Sequence, residues 1–429
     1  MPCVFFPLPA LPIVRARASM RGMIPCPLLT EPEGRARLSA FYRSELVENV
    51  MPFWLRHGMD REHDGIFTCL DRDGSLLDSD KSVWFQGRAG WMFATLYNTV
   101  EKRRDWIEAA GSCIAFLDKH GHATNGKLFF TLTREGLPLR MRRYAYSETF
   151  ACIARAAYAR ATGDHRYHEA AVRDFASFLR LAFEPGGMSP KINEQTRPMI
   201  SIGPPMIGIA TAQELRANLG HVEVAGRSAT EWIDKFIFDI GRLFFKEDMD
   251  VLMETVAPDG GIIDHFDGRC LNPGHAIECA WFILHEGRLR GERAYIRLGL
   301  RILDCMWRRG WDAEHGGFFY YRDVFDKPVA EYWQDMKFWW PHCEAVIAAA
   351  LAHEITGEPK YAEMHRQAHE WSFSRFPDPE HGEWYGWLRR DGTPSTRMKG
   401  SLWKGPFHLP RMLWYCSALL AAPPAAARL

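Results

Sequence analysis

Ala313-Glu314-His315-Gly316-Gly317-Phe318-Phe319 is one of three related stretches; the others are Arg61-Glu62-His63-Asp64-Gly65-Ile66-Phe67 and Pro379-Glu380-His381-Gly382-Glu383-Trp384-Tyr385. Each runs on through an aromatic or apolar, strand-like piece toward an Asp-containing turn such as Asp71-Arg72-Asp73-Gly74. Looser copies surround Gly126, Gly187 and Gly261. The glycines at 65, 126, 187, 261, 317 and 382 are 61, 61, 74, 56 and 65 residues apart. Six units of similar length filling the chain from residue 38 onward indicate a repeat architecture.

Between the glycine turns, apolar residues recur at helical spacing, as in Ala229, Trp232, Ile233, Phe236, Ile240 and Leu243. That is the pattern of a helix with one buried face. The spacing predicts twelve helices, at 38–57, 82–101, 104–120, 147–161, 165–183, 205–218, 223–245, 273–288, 292–309, 338–356, 358–375 and 406–420. Their connections alternate between short ones, such as Thr162-Gly163-Asp164, and long ones that carry a glycine turn. An all-α fold follows: six helical hairpins closed into an (α/α)6 barrel, with the long loops and their short β-hairpins gathered at one end. An open solenoid of helix pairs is the alternative. Residues 37–429 form one barrel domain in this reading. Residues 1–36 are a Pro-rich leader, disordered or lying upstream of the true start, with Met20 and Met23 as alternative starts.

Composition narrows the function. The chain of 429 residues is 47% hydrophobic and 13% aromatic, which supports a large core and leaves little room for disorder. Lys+Arg and Asp+Glu both number 53, so no net field draws in nucleic acid, and no basic helix with interleaved aromatics is present. The expected ligand is small and close to neutral, and abundant Trp and Tyr suit the faces of a sugar. The ten cysteines are scattered without a Cys-x-x-Cys pair, a pattern of reduced thiols in a cytoplasmic protein. No run reaches the length of a membrane span, and the arginines 15, 17 and 21 follow the apolar N-terminal stretch instead of preceding it, unlike a secretory signal.

If all long loops emerge at one end, the helix starts that follow them surround one cavity. Arg88, Glu148, His275, His342 and His408 lie 23, 22, 14, 25 and 26 residues after their glycines and should converge. Asn272-Pro273-Gly274-His275-Ala276-Ile277-Glu278 opens one helix, with His275 and Glu278 on one face, so that Glu278 can orient the imidazole. Lys404-Gly405-Pro406-Phe407-His408-Leu409-Pro410-Arg411 opens another. Lys337-Phe338-Trp339-Trp340-Pro341-His342-Cys343-Glu344 sets Glu344 and His342 beside two tryptophans, and Trp84-Phe85-Gln86-Gly87-Arg88 presents a guanidinium among rings. Imidazole is the side chain best suited to moving protons near neutral pH. Two of them on opposite faces of a carbon acid are what a racemase or epimerase needs. The repeated Glu-His-Gly pieces read as structural turns, because a residue type shared by several repeats serves the scaffold. There is no His-Glu-x-x-His metal motif, phosphate loop or nucleophile elbow, so no metal site is expected.

Taken together, from about Phe41 to Arg411, these motifs resemble the N-acylglucosamine 2-epimerase family, also described as renin-binding protein. The resemblance implies a six-hairpin α/α barrel and the interconversion of N-acetylglucosamine and N-acetylmannosamine. It implies His275 and His408 as the catalytic histidines, Arg88 and Glu344 as the required polar residues, and Glu148 and Glu278 as inward-facing positions; Glu148, Glu278, His342 and Trp340 are the expected substrate-binding residues. It also implies no cofactor for the chemistry, ATP or another nucleotide as an allosteric activator at an unknown site, and a homodimer. Phe85, Cys343 and Leu409 depart from the Leu, Ser and Val of the family pattern without removing a proposed catalytic group. An epimerase or isomerase of an unsubstituted sugar such as mannose or cellobiose is the first alternative. An inverting glycoside hydrolase, which would use two carboxylates, and a non-catalytic renin-binding role come after it.

Overall fold

The computed structural model describes residues 29–142 and 144–422. Among these, twelve long helices follow one another: α1 (Pro32–Ser44), α2 (Val83–Thr99), α3 (Arg104–His120), α4 (Tyr146–Thr162), α5 (His165–Phe183), α6 (Gly203–Leu219), α7 (Ala229–Asp239), α8 (Pro273–Arg290), α9 (Arg293–Gly310), α10 (Trp339–Thr356), α11 (Pro359–Phe373) and α12 (His408–Ala421). Wider π turns extend α1 through Glu45–Val50 and Trp54–Gly58, and α7 through Ile240–Phe244.

The even-numbered helices form an inner ring. Each packs on the next, α2 on α4 and so round to α12, which returns to α2. Their sequences explain the position. A helix enclosed on all sides must be apolar all round and slim, and α10 buries every residue from Trp339 to Ile355, many of them alanine. At Gly87 on α2 a Cβ would lie 2.6 Å from the carbonyl carbon of Phe150 on α4, so only glycine permits this approach. The odd-numbered helices cover the ring from outside and are one-sided: α9 buries Ile296, Gly299, Ile302, Leu303, Met306, Trp307 and Gly310 and turns its arginines outward. Five inner–outer pairs are sequential hairpins. The sixth joins α12 to α1, so the two ends of the described chain close the barrel.

The long loops gather at the N-terminal ends of the inner helices. Short antiparallel ladders join neighbouring loops just before those helices start, pairing Lys81 with Leu132, Ser201 with Thr255, Cys270 with Asp323 and Lys337 with Leu388. Hydrogen bonds between Leu70 and the Lys399–Gly400 strip complete the rim. The repeated segments are turns of this rim, as their sequence implied. Asp60, Asp312 and Asp378 each accept peptide N–H groups of the turn. Each also holds a buried lysine, Lys81 at 2.8 Å, Lys337 at 2.9 Å and Lys399 at 3.1 Å. An arginine from the next loop round the ring completes each cluster: Arg134, Arg390 and Arg72. Burial opposes these carboxylates, but the arginine and lysine outweigh it and hold all three well below the usual carboxylate range.

Three sequence-based expectations change. The leader read as 1–36 overlaps the barrel, because helix α1 starts at Pro32 and buried Arg35 pairs with Glu354 on α10 at 2.7 Å; residues 1–28 lie outside the described residues. The helix expected from 223 begins at Ala229, where Ser228 and Glu231 form a reciprocal capping box. Ahead of it Glu223–Val224 and Arg227–Ser228 pair around a tight turn at Ala225-Gly226, both with positive φ. Several of the expected β-hairpins are instead ladders between loops. The eight described cysteines are unpaired, and among the described residues no helix is long and apolar enough to cross a membrane.

Candidate active site

His275 and His408 arrive at the same mouth by similar means. Asn272 caps α8 by accepting the His275 peptide N–H at 3.1 Å, which fixes the imidazole in the first helical turn. His408 is the first residue of α12 and is buried. Between them stands Trp340 of α10, its indole 5.1 Å from the His275 ring and 5.6 Å from the His408 ring, centroid to centroid. Gly274 makes that possible, since a Cβ there would lie 2.6 Å from the indole.

The two imidazoles have opposite surroundings. His275 Nδ1 meets both carboxylate oxygens of Glu254, at 3.0 and 3.1 Å, and the histidine side chain is 31% exposed to the mouth. Burial alone would depress its pKa, but the Glu254 carboxylate more than reverses this and raises it. His408 Nδ1 lies 2.7 Å from Glu344 Oε1. Glu344 is already matched, for it also accepts from Arg411 at 2.7 Å and from the Trp281 indole N–H at 2.7 Å. Burial, followed by the nearby Arg411 and Arg88 guanidinium groups, holds the His408 pKa well below the ordinary value. His408 is therefore neutral, with its Nδ1–H on Glu344 and Nε2 left as a base. His275 is the more readily protonated of the two.

Arg411 also pairs with Glu278. Glu278 thus faces Arg411, and the expected orientation of His275 by Glu278 is replaced by Glu254, which comes from the rim between Val251–Leu252 and Thr255–Val256. One oxygen or nitrogen from each of Glu278, Glu344 and His408 lies within 4.8 Å of the others, a set that could hold a metal ion. In this arrangement Arg411 already binds both carboxylates and supplies the positive charge. Arg88 is packed against the rings of Phe150 (4.2 Å), Phe407 (4.8 Å) and Trp84 (5.4 Å). Its Nη1 bonds the Trp403 carbonyl at 3.3 Å, and its buried Nε has no partner among the described residues. A guanidinium held by ring faces keeps N–H groups available for an oxyanion.

Two expected site residues lie elsewhere. His342 is fully buried; its Nδ1–H donates to the Phe338 carbonyl (2.6 Å) and its Nε2 accepts the Phe318 peptide N–H (2.9 Å). Burial pulls its pKa down to about 3. Glu148 accepts the Leu128 peptide N–H at 2.9 Å, and Gln86 does the same for Ile66 at 2.8 Å. All three side chains sit in the first turn of an inner helix and lock the glycine turn of their own repeat. Both nitrogens of His342 are used by backbone, and Glu148 is directed at its turn, so neither reaches the mouth.

The sequence profile of the N-acylglucosamine 2-epimerase family matches residues 65–408. The chain belongs to that family. It is 34% identical over 392 residues to the N-acylglucosamine 2-epimerase of Rattus norvegicus, covering 88% of this chain and 90% of the rat protein. Identity to the human N-acylglucosamine 2-epimerase is 34% over 387 residues, covering 88% of each chain. More distant is the cellobiose 2-epimerase of Bacteroides fragilis, 22% identical over 390 residues, with 86% of this chain and 96% of that one covered. Among solved structures, the cellobiose 2-epimerase of Bacillus thermoamylovorans superposes with a TM-score of 0.78 at 19% identity, over 90% of this chain and all of that one. The (α/α)6 barrel of the N-acylglucosamine 2-epimerase family is thus the fold of this chain too.

Within this family member, Glu254, Arg411 and Trp281 are site residues that sequence reasoning did not assign. Arg411 was within reach, since it lies three residues after His408 on the same helical face. Glu254 carried only a weak signal, an acidic residue ending the apolar run Val251-Leu252-Met253.

Proposed function

We propose that the protein is a sugar 2-epimerase that interconverts N-acetylglucosamine and N-acetylmannosamine by proton transfer at C2 of the open-chain sugar. The observation that carries this reading is the pair of imidazoles flanking Trp340, one matched to an uncompensated carboxylate and the other held neutral. The C1 aldehyde acidifies the C2 proton. Neutral His408 removes it through Nε2, and the electron pair moves into an enediol-like (2-acylamino enol) intermediate. Charge grows on O1, where the free N–H groups of Arg88 stabilise it. The His275 imidazolium, held by Glu254, returns a proton to the opposite face, and the reverse reaction exchanges the two roles. Glu344 keeps His408 in the tautomer that leaves Nε2 unprotonated. The nitrogen at C2 excludes a 2-ketose product, so epimerisation is the natural outcome. Proton transfer of this kind calls on no redox cofactor.

The test incubates the protein with N-acetylmannosamine, mannose and cellobiose in deuterated water, each with and without ATP, the activator that the family resemblance implies. Turnover of the N-acetyl sugar with deuterium entering C2 is expected, with the other two sugars turned over at least tenfold more slowly. Preference for mannose or cellobiose would move the reading to the unsubstituted-sugar alternative. His408→Ala should abolish deuterium exchange from at least one epimer; exchange retained from both would sink the two-base assignment. Light scattering on the same preparation tests the proposed homodimer.

A further inference from the structure

The barrel has a second opening, at the C-terminal ends of the inner helices. A cavity of about 240 Å³ lies there, walled by Trp91, Phe150, Trp281, Phe407, Trp414 and Tyr415. A cavity of roughly 150 Å³ admits benzene, so this one has room for a ring and a short arm. Phe150, Phe407 and Trp281 are its partition from the histidines: Arg88 rests on the Phe150 and Phe407 rings, and the Trp281 N–H is bound to Glu344 on the active-site side.

One carboxylate lines this aromatic space. Glu214 on α6 accepts from the Trp91 indole N–H at 2.8 Å and from the Asn218 amide at 3.1 Å, both through Oε2. Among the described residues no lysine, arginine or histidine comes within ion-pair distance of it, whereas Asp60, Asp174, Glu286, Asp312, Glu344 and Asp378 each have such a partner; Glu148, which shares the lack, is turned onto the Leu128 peptide N–H and lines no cavity of this kind. Burial raises its pKa, outweighing the hydrogen bonds from Trp91 and Asn218 and the weaker pull of Arg411 and Arg160. Arg411 is already matched by Glu278 and Glu344, and Arg160 at the mouth is exposed. The carbonyl ends of α2, α4 and α6 converge here, marked by Asn98 and Thr99, Arg160, and Ala217 and Asn218 in the lining. Helix C-termini carry partial negative charge. Asn98 Oδ1 adds a buried acceptor with no partner among the described residues.

An unpaired carboxylate, aromatic faces and converging helix C-termini all favour a cation with an apolar body. We propose that this rear cavity is a binding site for a small organic cation, an aryl- or alkylammonium compound, whose ammonium group pairs with Glu214 while its body stacks on the tryptophan walls. The site lies behind the histidine mouth, with Arg411 and Trp281 in the wall between the two, and does not rest on the epimerase reading.

Calorimetric titration of the full chain in amine-free phosphate buffer tests it, with 2-phenylethylammonium and its neutral isostere 2-phenylethanol as probes. The ammonium compound should bind at least tenfold more tightly than the alcohol, and saturating N-acetylmannosamine should not displace it. Glu214→Gln should bring the two affinities to parity while retaining sugar turnover. If that variant fails to fold, the comparison of the two probes on the wild-type protein still decides. Equal affinity for both probes, no binding of the ammonium compound at millimolar concentration, or displacement by the sugar would each overturn the proposal.

Discussion

Glu254 sets the protonic difference between the two histidines. Both imidazoles have a carboxylate at Nδ1, yet Glu344 has Arg411 to balance it, whereas no arginine among the described residues is bound to Glu254. Only His275 is raised. A raised imidazole contributes stability that is fully present below about pH 6.5 and lost as pH rises through its folded pKa. The same sign applies to activity in the direction that uses His275 as acid, which declines on the alkaline side of that pKa. Glu254→Gln removes the charge and leaves burial to pull the pKa down. The expected result is a loss on the order of 10²-fold in kcat and an alkaline limb of kcat/KM displaced to lower pH. A reduced kcat with that limb unmoved would show that Glu254 does not govern His275. The motifs around His275, His408 and Glu344 were readable because each opens a helix in a short, unusual string of residues. Glu254 was not, because its partnership with a histidine 21 residues away depends on how a rim loop folds back.

At the scale of the helices, the periodicity that located twelve of them also explains the error over His342 and Glu148. Counting residues from each glycine correctly found equivalent positions in different repeats, but it could not show which way a first-turn side chain points. In three repeats it points back to the glycine turn, and the acceptor differs each time: glutamine, glutamate, histidine. What the fold requires there is an acceptor for one buried peptide N–H, and chemistry beyond that is free to vary. His342→Gln, which copies the arrangement at Gln86, should stay within about 1 kcal/mol of the wild type. His342→Leu leaves the Phe318 N–H buried without a partner and should cost about 1–3 kcal/mol. Denaturant melts measure both. KM for the sugar should be unchanged in either variant, and a rise in KM with His342→Gln would return His342 to the substrate site.

Over the whole molecule, the sequence shows six units but not that the sixth is assembled from both ends of the fold. Units one to five are read from consecutive hairpins; the pairing of α12 with α1 spans the chain and leaves no local trace. The rim staples expose this difference. Arg390 ties the turn at Asp312 to the next loop in sequence, 78 residues on, whereas Arg72 makes the same contact with Asp378 across 306 residues. Locally the two are alike: each is a partly exposed arginine on a buried aspartate that keeps a lysine. Arg390→Met and Arg72→Met should therefore lower stability equally, by about 1 kcal/mol each after solvent screening. Their kinetics should differ. A contact that joins the chain ends forms only after most of the ring is in place, because its loop-closure entropy must be met before it adds anything. Contacts absent from the transition state act on unfolding alone. Arg72→Met should speed unfolding about fivefold and leave refolding untouched, while Arg390→Met should divide its effect between both rates. Stopped-flow unfolding and refolding of the two variants measures this directly. A slowed refolding of Arg72→Met matching that of Arg390→Met would mean that the barrel closes early and its walls fill in afterwards.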